Sequence, residues 1–132
     1  MSRAETAHAM MVEHKGNCAQ ATISVFDNLG LDKETAQKIT RCFGGGMATG
    51  NICGAITASY MVLGLKMTLA ADNPKESHEK VHAQIAEFNK KFITRHGSLL
   101  CKVLKAPPIK PPQVCPNLVK SAVEILEGMI KE

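Results

Sequence analysis

Apolar residues in this chain return every third or fourth position, and no segment alternates like a strand, which confines the fold to helices. Gly16 and Asn17 interrupt a first helix over residues 1–14. A second runs over 18–29, with Cys18, Thr22, Val25 and Leu29 at helical spacing and Gly30 as its stop. Asp32 caps a third, which reaches about residue 42. The stretch 52–65 is apolar on nearly every side through Ile56, Tyr60, Met61, Val62, Leu63 and Leu65, so it belongs at the centre of a bundle. Asn73-Pro74 opens the next helix, whose stripe of Val81, Ile85, Phe88 and Phe92 ends near Gly97. A short helix after Ser98 leads to Pro107, Pro108, Pro111 and Pro112, which forbid regular helix and read as a stiff loop. The last helix begins at Pro116 and turns Leu118, Val119, Ala122, Ile125, Leu126 and Met129 inward. The expectation is one all-α domain over residues 1–132, a bundle of five to six helices with a Gly-rich loop before the central one.

Four of the five cysteines fall where those helices begin. Cys18 follows Asn17, with Gln20 three residues beyond that Asn, the pattern of a capping box. Cys53 stands two residues after Asn51, at the end of the glycines. Cys101 comes three after Ser98, and Cys115 directly precedes Pro116. The first turn of a helix has unpaired N–H groups and about half a positive charge, so a thiolate there is favoured over a thiol. A lowered pKa is therefore expected at Cys18, Cys53, Cys101 and Cys115, which fits them as nucleophiles or metal ligands. Cys42, near the end of its helix, lies outside the set. No C-x-x-C occurs, which disfavours zinc ribbons and thioredoxin-type dithiols, so any shared site must be assembled across helices.

A chain of 132 residues buries enough surface to fold without a disulfide or metal as a staple. Its net charge of +4 is thinly spread, and with 4% aromatics and no Trp it lacks a stacking platform for nucleic acid. Residues 1–15 hold no apolar core of signal-peptide length, so the expected compartment is the cytoplasm, where thiols stay reduced unless they are catalytic or redox-sensing. Residues 42–65 are uncharged, but the glycines in the first half leave only 14 apolar residues from Ile52 to Leu65. That length suits a buried helix rather than a membrane span.

The stretch 43–54 is the strongest local signal. Gly44, Gly45, Gly46, Gly50 and Gly54 allow close backbone approach, and their N–H groups can converge on an anion. Asn51 and Ile52 stand where a P-loop would carry Lys and Ser/Thr, and no clean G-x-G-x-x-G is present, so nucleotide binding is disfavoured. A thiolate or an iron–sulfur cluster is also anionic, and Cys53 lies at the end of the loop. Plain helix crossing is the competing use of the same glycines.

His78-Glu79-Lys80-Val81-His82 matches H-E-x-x-H. The flanks are very polar, Lys80 stands inside the motif, and Ile85 and Phe88 occupy the positions where a further ligand would follow. An accidental match is expected. His14 lies four residues before Cys18, but Gly16 separates them, and His8 and His96 read as surface residues.

Asn17-Cys18-Ala19-Gln20-Ala21, Phe43-Gly44-Gly45-Gly46-Met47, Cys53-Gly54-Ala55, Phe92 through Gly97-Ser98 to Cys101, and Cys115-Pro116 occur in that order. In this the chain resembles the C_GCAxxG_C_C family of redox-active proteins, from about Asn17 to the end. The family's four cysteines fall on Cys18, Cys53, Cys101 and Cys115. Ala58 stands where its Cys-Gly-Ala-x-x-Gly motif ends in Gly. The resemblance implies redox activity and a redox partner protein or oxidoreductase; a similar cysteine domain in split-Soret cytochromes is associated with an iron–sulfur centre. The absence of C-x-x-C-H argues against covalent haem. The leading expectation is an iron–sulfur cluster or other metal ion on those four thiolates, used for electron transfer. The alternatives are metal-free thiol–disulfide exchange by pairs among them, and a helical interaction protein with packed cysteines. Neither nucleic acid nor membrane is an expected partner, and a homodimer stays open.

Overall fold

The computed structural model describes residues 1–67, 72–106 and 114–130. The chain is all-α, as its periodicity requires: α1 (Arg3–Val12), α2 (Cys18–Ser24), α3 (Lys33–Thr40), α4 (Gly54–Lys66), α5 (Pro74–His96), α6 (Cys101–Leu104) and α7 (Val114–Ile130). A compact turn at Gly46–Gly50 separates α3 from α4. An isolated antiparallel bridge joins Ile52 to Leu100. The proline loop expected over residues 106–112 falls largely outside the described residues.

Caps decide where the helices start. Ser2 and Asn17 each close a reciprocal capping box, with Glu5 and Gln20 respectively. Asp32 and Asn73 accept from the backbones of Thr35 and Glu76, and Pro74 opens α5. Helix α6 starts at Cys101, as expected. Leu100 occupies its cap position, and Ser98 instead accepts the Leu100 N–H at 3.0 Å. The second helix is shorter than its pattern suggests, ending at Ser24 rather than reaching Leu29. Ile23 and Val25 are poor helix formers, and the Thr22 and Ser24 hydroxyls bond back to the carbonyls of Cys18 and Ala21. The chain then turns Phe26 into the core and leaves through Gly30 at φ +90°.

Helix α4 is central, as its all-round apolar surface demands. It packs on α2 and α7; α1 also lies along α7, and α3 lies against α2. Ala55, Ile56, Ala58 and Val62 of α4 are fully buried with Val119, Ala122, Val123 and Leu126 of α7. Only the lower half of the α5 stripe reaches the core: Phe88 and Phe92 are fully buried, whereas Val81 and Ile85 are half-covered. Each fully buried side chain of that size contributes about 1.5–3 kcal/mol. This frame brings the starts of α2, α4, α6 and α7 towards one region.

Candidate functional site

Asn17 fixes the start of α2 from both sides. Its side chain accepts the Gln20 N–H at 2.9 Å and donates to the Arg41 carbonyl at 3.0 Å, tying α2 to the end of α3. Gln20 and Gln37 exchange amide-to-carbonyl bonds across the same pair of helices, each at 3.1 Å. Cys18 is thereby held at the first position of α2, half-buried, under the glycine-rich stretch.

That stretch is built around the Cys18 sulfur. A Cβ on Gly54 would lie 2.5 Å from Cys18 Sγ and 2.6 Å from the Phe43 carbonyl oxygen, so only glycine allows this approach. Gly44 admits the Asn17 side chain in the same way. Gly46 accepts the Asn51 N–H and the Thr49 hydroxyl, closing the turn on itself. Four consecutive residues, Gly45, Gly46, Met47 and Ala48, have φ between +59° and +64°. A left-handed conformation costs an L-residue about 1–2 kcal/mol, so Met47 and Ala48 are held there against their preference.

The strained turn aims backbone at sulfur. Cys18 titrates far below an ordinary thiol, at about 6. The Cys53 thiol, which donates a hydrogen bond to the Cys18 sulfur, is the largest cause. Burial opposes the shift, and the N–H groups of Gly45, Gly54 and Ala19 reinforce it. The same hydrogen bond, together with burial and the Cys18 charge, pushes the Cys53 thiol up. The Ala55 N–H lowers the Cys53 pKa in turn, but by less than these causes raise it. The pair is a thiolate at Cys18 and a thiol at Cys53.

Cys53 caps α4, and the Ile52–Leu100 bridge sets it beside Cys101. Cys53 N–H donates to the Leu99 carbonyl at 2.9 Å, and Cys101 N–H donates to the Asn51 carbonyl at 2.7 Å. Both cysteines follow their bridge residue by one, which places them diagonally on the same face of the pairing. Cys101 is buried and Cys115 half-buried, and Cys18 carries an electrostatic influence on both. Burial raises each of these two thiols, while the Lys105 ammonium pulls back on each. The expectation of a lowered pKa at all four helix starts therefore holds for Cys18 alone. At Cys53, Cys101 and Cys115 desolvation exceeds what a helix terminus supplies. Cys42 is exposed just past the end of α3.

The donor chemistry suits a soft metal, but the spacing does not. Among the described residues no three His, Cys, Asp or Glu side chains come close enough together to hold one ion. The His78 and His82 rings lie 4.2 Å apart, tilted by 52°, on the exposed face of α5, without a third ligand among the described residues. His14 sits at φ +56° where the chain leaves α1, and it is exposed. No described helix is long and apolar enough to cross a membrane. Sequence reasoning missed the Asn51, Leu99 and Phe43 carbonyls, since a backbone acceptor leaves no mark on residue type.

A family model described as "Putative redox-active protein (C_GCAxxG_C_C)" matches residues 16–129. An uncharacterized protein of Archaeoglobus fulgidus is 27% identical over 148 aligned residues, covering 100% of this chain and 98% of that protein. No solved structure matches.

Proposed function

The chain belongs to the C_GCAxxG_C_C family of redox-active proteins, and from that premise we propose that Cys18 and Cys53 form its working dithiol, cycling between thiolate–thiol and disulfide. The observation that carries this reading is the seat of the Cys18 sulfur against Gly54, the residue after Cys53, where a Cβ would lie 2.5 Å from it, with the opposite pKa shifts of the two thiols beside that geometry. Cys18 is the attacking sulfur because it is ionised at neutral pH and partly accessible. Its thiolate attacks one sulfur of a substrate disulfide, forming a mixed disulfide and releasing the other sulfur as a thiolate. Cys53 then attacks Cys18 and releases the second substrate sulfur, and its proton goes to a leaving thiolate. Two protein thiols are oxidised and one substrate disulfide is reduced to two thiols; the reverse sequence returns the electrons. Cys101 and Cys115 lie within the electrostatic reach of Cys18 and bias its charge without joining the pair.

The competing assignment is an iron–sulfur or other metal centre on Cys18, Cys53, Cys101 and Cys115, which would require Cys101 and Cys115 to close on the pair. Anaerobic purification followed by iron, sulfide and thiol assays separates the two. The expected result is a colourless protein in which one equivalent of a disulfide oxidant removes two thiols, with peptide mapping linking Cys18 to Cys53. Stoichiometric iron and sulfide, lost in Cys101→Ser and Cys115→Ser, would overturn the dithiol reading.

A further inference from the structure

Carboxylates are absent from every stretch of sequence that carries a cysteine. Residues 14–26, 35–71 and 88–123 contain no Asp or Glu, although the chain has 12 acids, and the last two of these stretches hold ten of its 16 Lys and Arg residues. The acids lie in the remaining stretches, and several neutralise cations away from the cysteines. Glu34 pairs with Lys38, Glu87 with Lys91, and Glu124 with Arg95.

Lys15, three residues before Cys18, pairs with Glu13, but three other cations near the cysteines stand without such partners. Arg41, Lys102 and Lys105 are exposed and make no ion pair with the described residues. Each is tied to the site by a different contact. The Arg41 carbonyl receives the Asn17 side chain that caps the Cys18 helix. Lys102 follows Cys101, and its Cβ lies 3.0 Å from where a Gly50 side chain would begin. Lys105 is close enough to act electrostatically on both Cys101 and Cys115. The same elements leave Met47 41% and Val103 49% exposed. Met47 is part of the left-handed turn, and Val103 belongs to the helix packed against it. Exposed apolar residues and cations without ion pairs among the described residues, on stretches of chain that carry no carboxylate, attract an acidic protein and repel a basic one.

We infer that the cysteine-bearing end of the molecule, with Arg41, Lys102 and Lys105 around Met47 and Val103, is the docking surface for an acidic redox protein. This rests on the dithiol reading above and specifies its partner. The cations come from two elements, Arg41 from the end of α3 and Lys102 and Lys105 from α6 and its end, and stand exposed, an arrangement that suits a broad carboxylate-lined face rather than one small anion. The exchange balances at the surface. A thiolate of the partner attacks Cys18 in the Cys18–Cys53 disulfide, and Cys53 leaves as a thiolate and takes up a proton. The partner's second thiol then closes the partner's own disulfide and releases the Cys18 thiolate.

The test uses three dithiol peptides of equal length, their cysteines flanked by glutamates, lysines or serines, as reductants of the oxidised full-length protein. The acidic peptide should react about tenfold or more faster than the serine peptide, and the advantage should vanish in 1 M salt, where the screening length falls to about 3 Å. In Arg41→Glu/Lys102→Glu/Lys105→Glu the ratio of acidic to serine rates should drop below one, and the lysine peptide should gain instead. Equal rates for the three peptides, or a ratio unmoved by charge reversal, would overturn the docking surface. So would an equal advantage for a small dianionic thiol such as mercaptosuccinate over a neutral thiol, which would indicate an anion site instead. Fluorescence anisotropy of labelled, cysteine-free versions of the same peptides reads docking independently of thiol chemistry. Loss of the Cys18–Cys53 disulfide with acid-selective binding intact would count against the dithiol reading alone.

Discussion

At the scale of single residues, the site depends on what faces one sulfur. Because the Cys18 pKa is lowered to about 6, its thiolate predominates above that pH and is lost by protonation below it. Alkylation of Cys18 by iodoacetamide, followed by mass spectrometry, should therefore rise through about pH 6 and level off near neutrality. In Cys53→Ala the largest lowering contribution is gone, so the midpoint should move upward, and a midpoint that stayed in place would assign the shift to the amides alone. Gly54→Ala brings a Cβ against both the sulfur and the Phe43 carbonyl. It should cost about 1–3 kcal/mol in chemical denaturation and raise the Cys18 midpoint as well. The positions of the cysteines were legible in sequence because N-cap and glycine signals mark helix starts. Their unequal acidity was not, since burial and the count of amides around a sulfur belong to the tertiary structure.

Elements show the same division. The capping residues Asn17, Asp32 and Asn73-Pro74 carried enough local information to set the starts of α2, α3 and α5 from residue type. The end of α2 was misread because no side-chain rule marks where a helix yields to packing, as at Phe26. The glycine stretch was readable as a close-approach loop, but its hand was not, because Met47 and Ala48 disfavour the conformation they adopt. That strain is testable. Ala48→Gly should stabilise the fold by about 0.5–1 kcal/mol, seen as a Tm higher by about 2–4 °C. An unchanged or lower Tm would show that the turn relaxes in solution.

For the whole molecule, stability resides in the packing of α4, α5 and α7 rather than in the site. Reductant plus chelator should leave thermal unfolding cooperative with Tm unchanged, and His78→Gln/His82→Gln should do the same because both rings are exposed. Phe88→Ala, which empties a fully buried position, should cost about 3–5 kcal/mol in the same assay. A Tm that fell sharply on chelation alone would place a structural metal in the fold. The Ile52–Leu100 bridge carries one more consequence, for the newborn chain. Cys53 cannot find the Leu99 carbonyl until α5 and the residues after it have been made, which takes a few seconds at about 5–20 residues per second. Until then the thiol that should pair with Cys18 has no fixed place, so the nascent polypeptide passes through an interval in which its sulfurs can be trapped by whatever oxidant or metal meets them first.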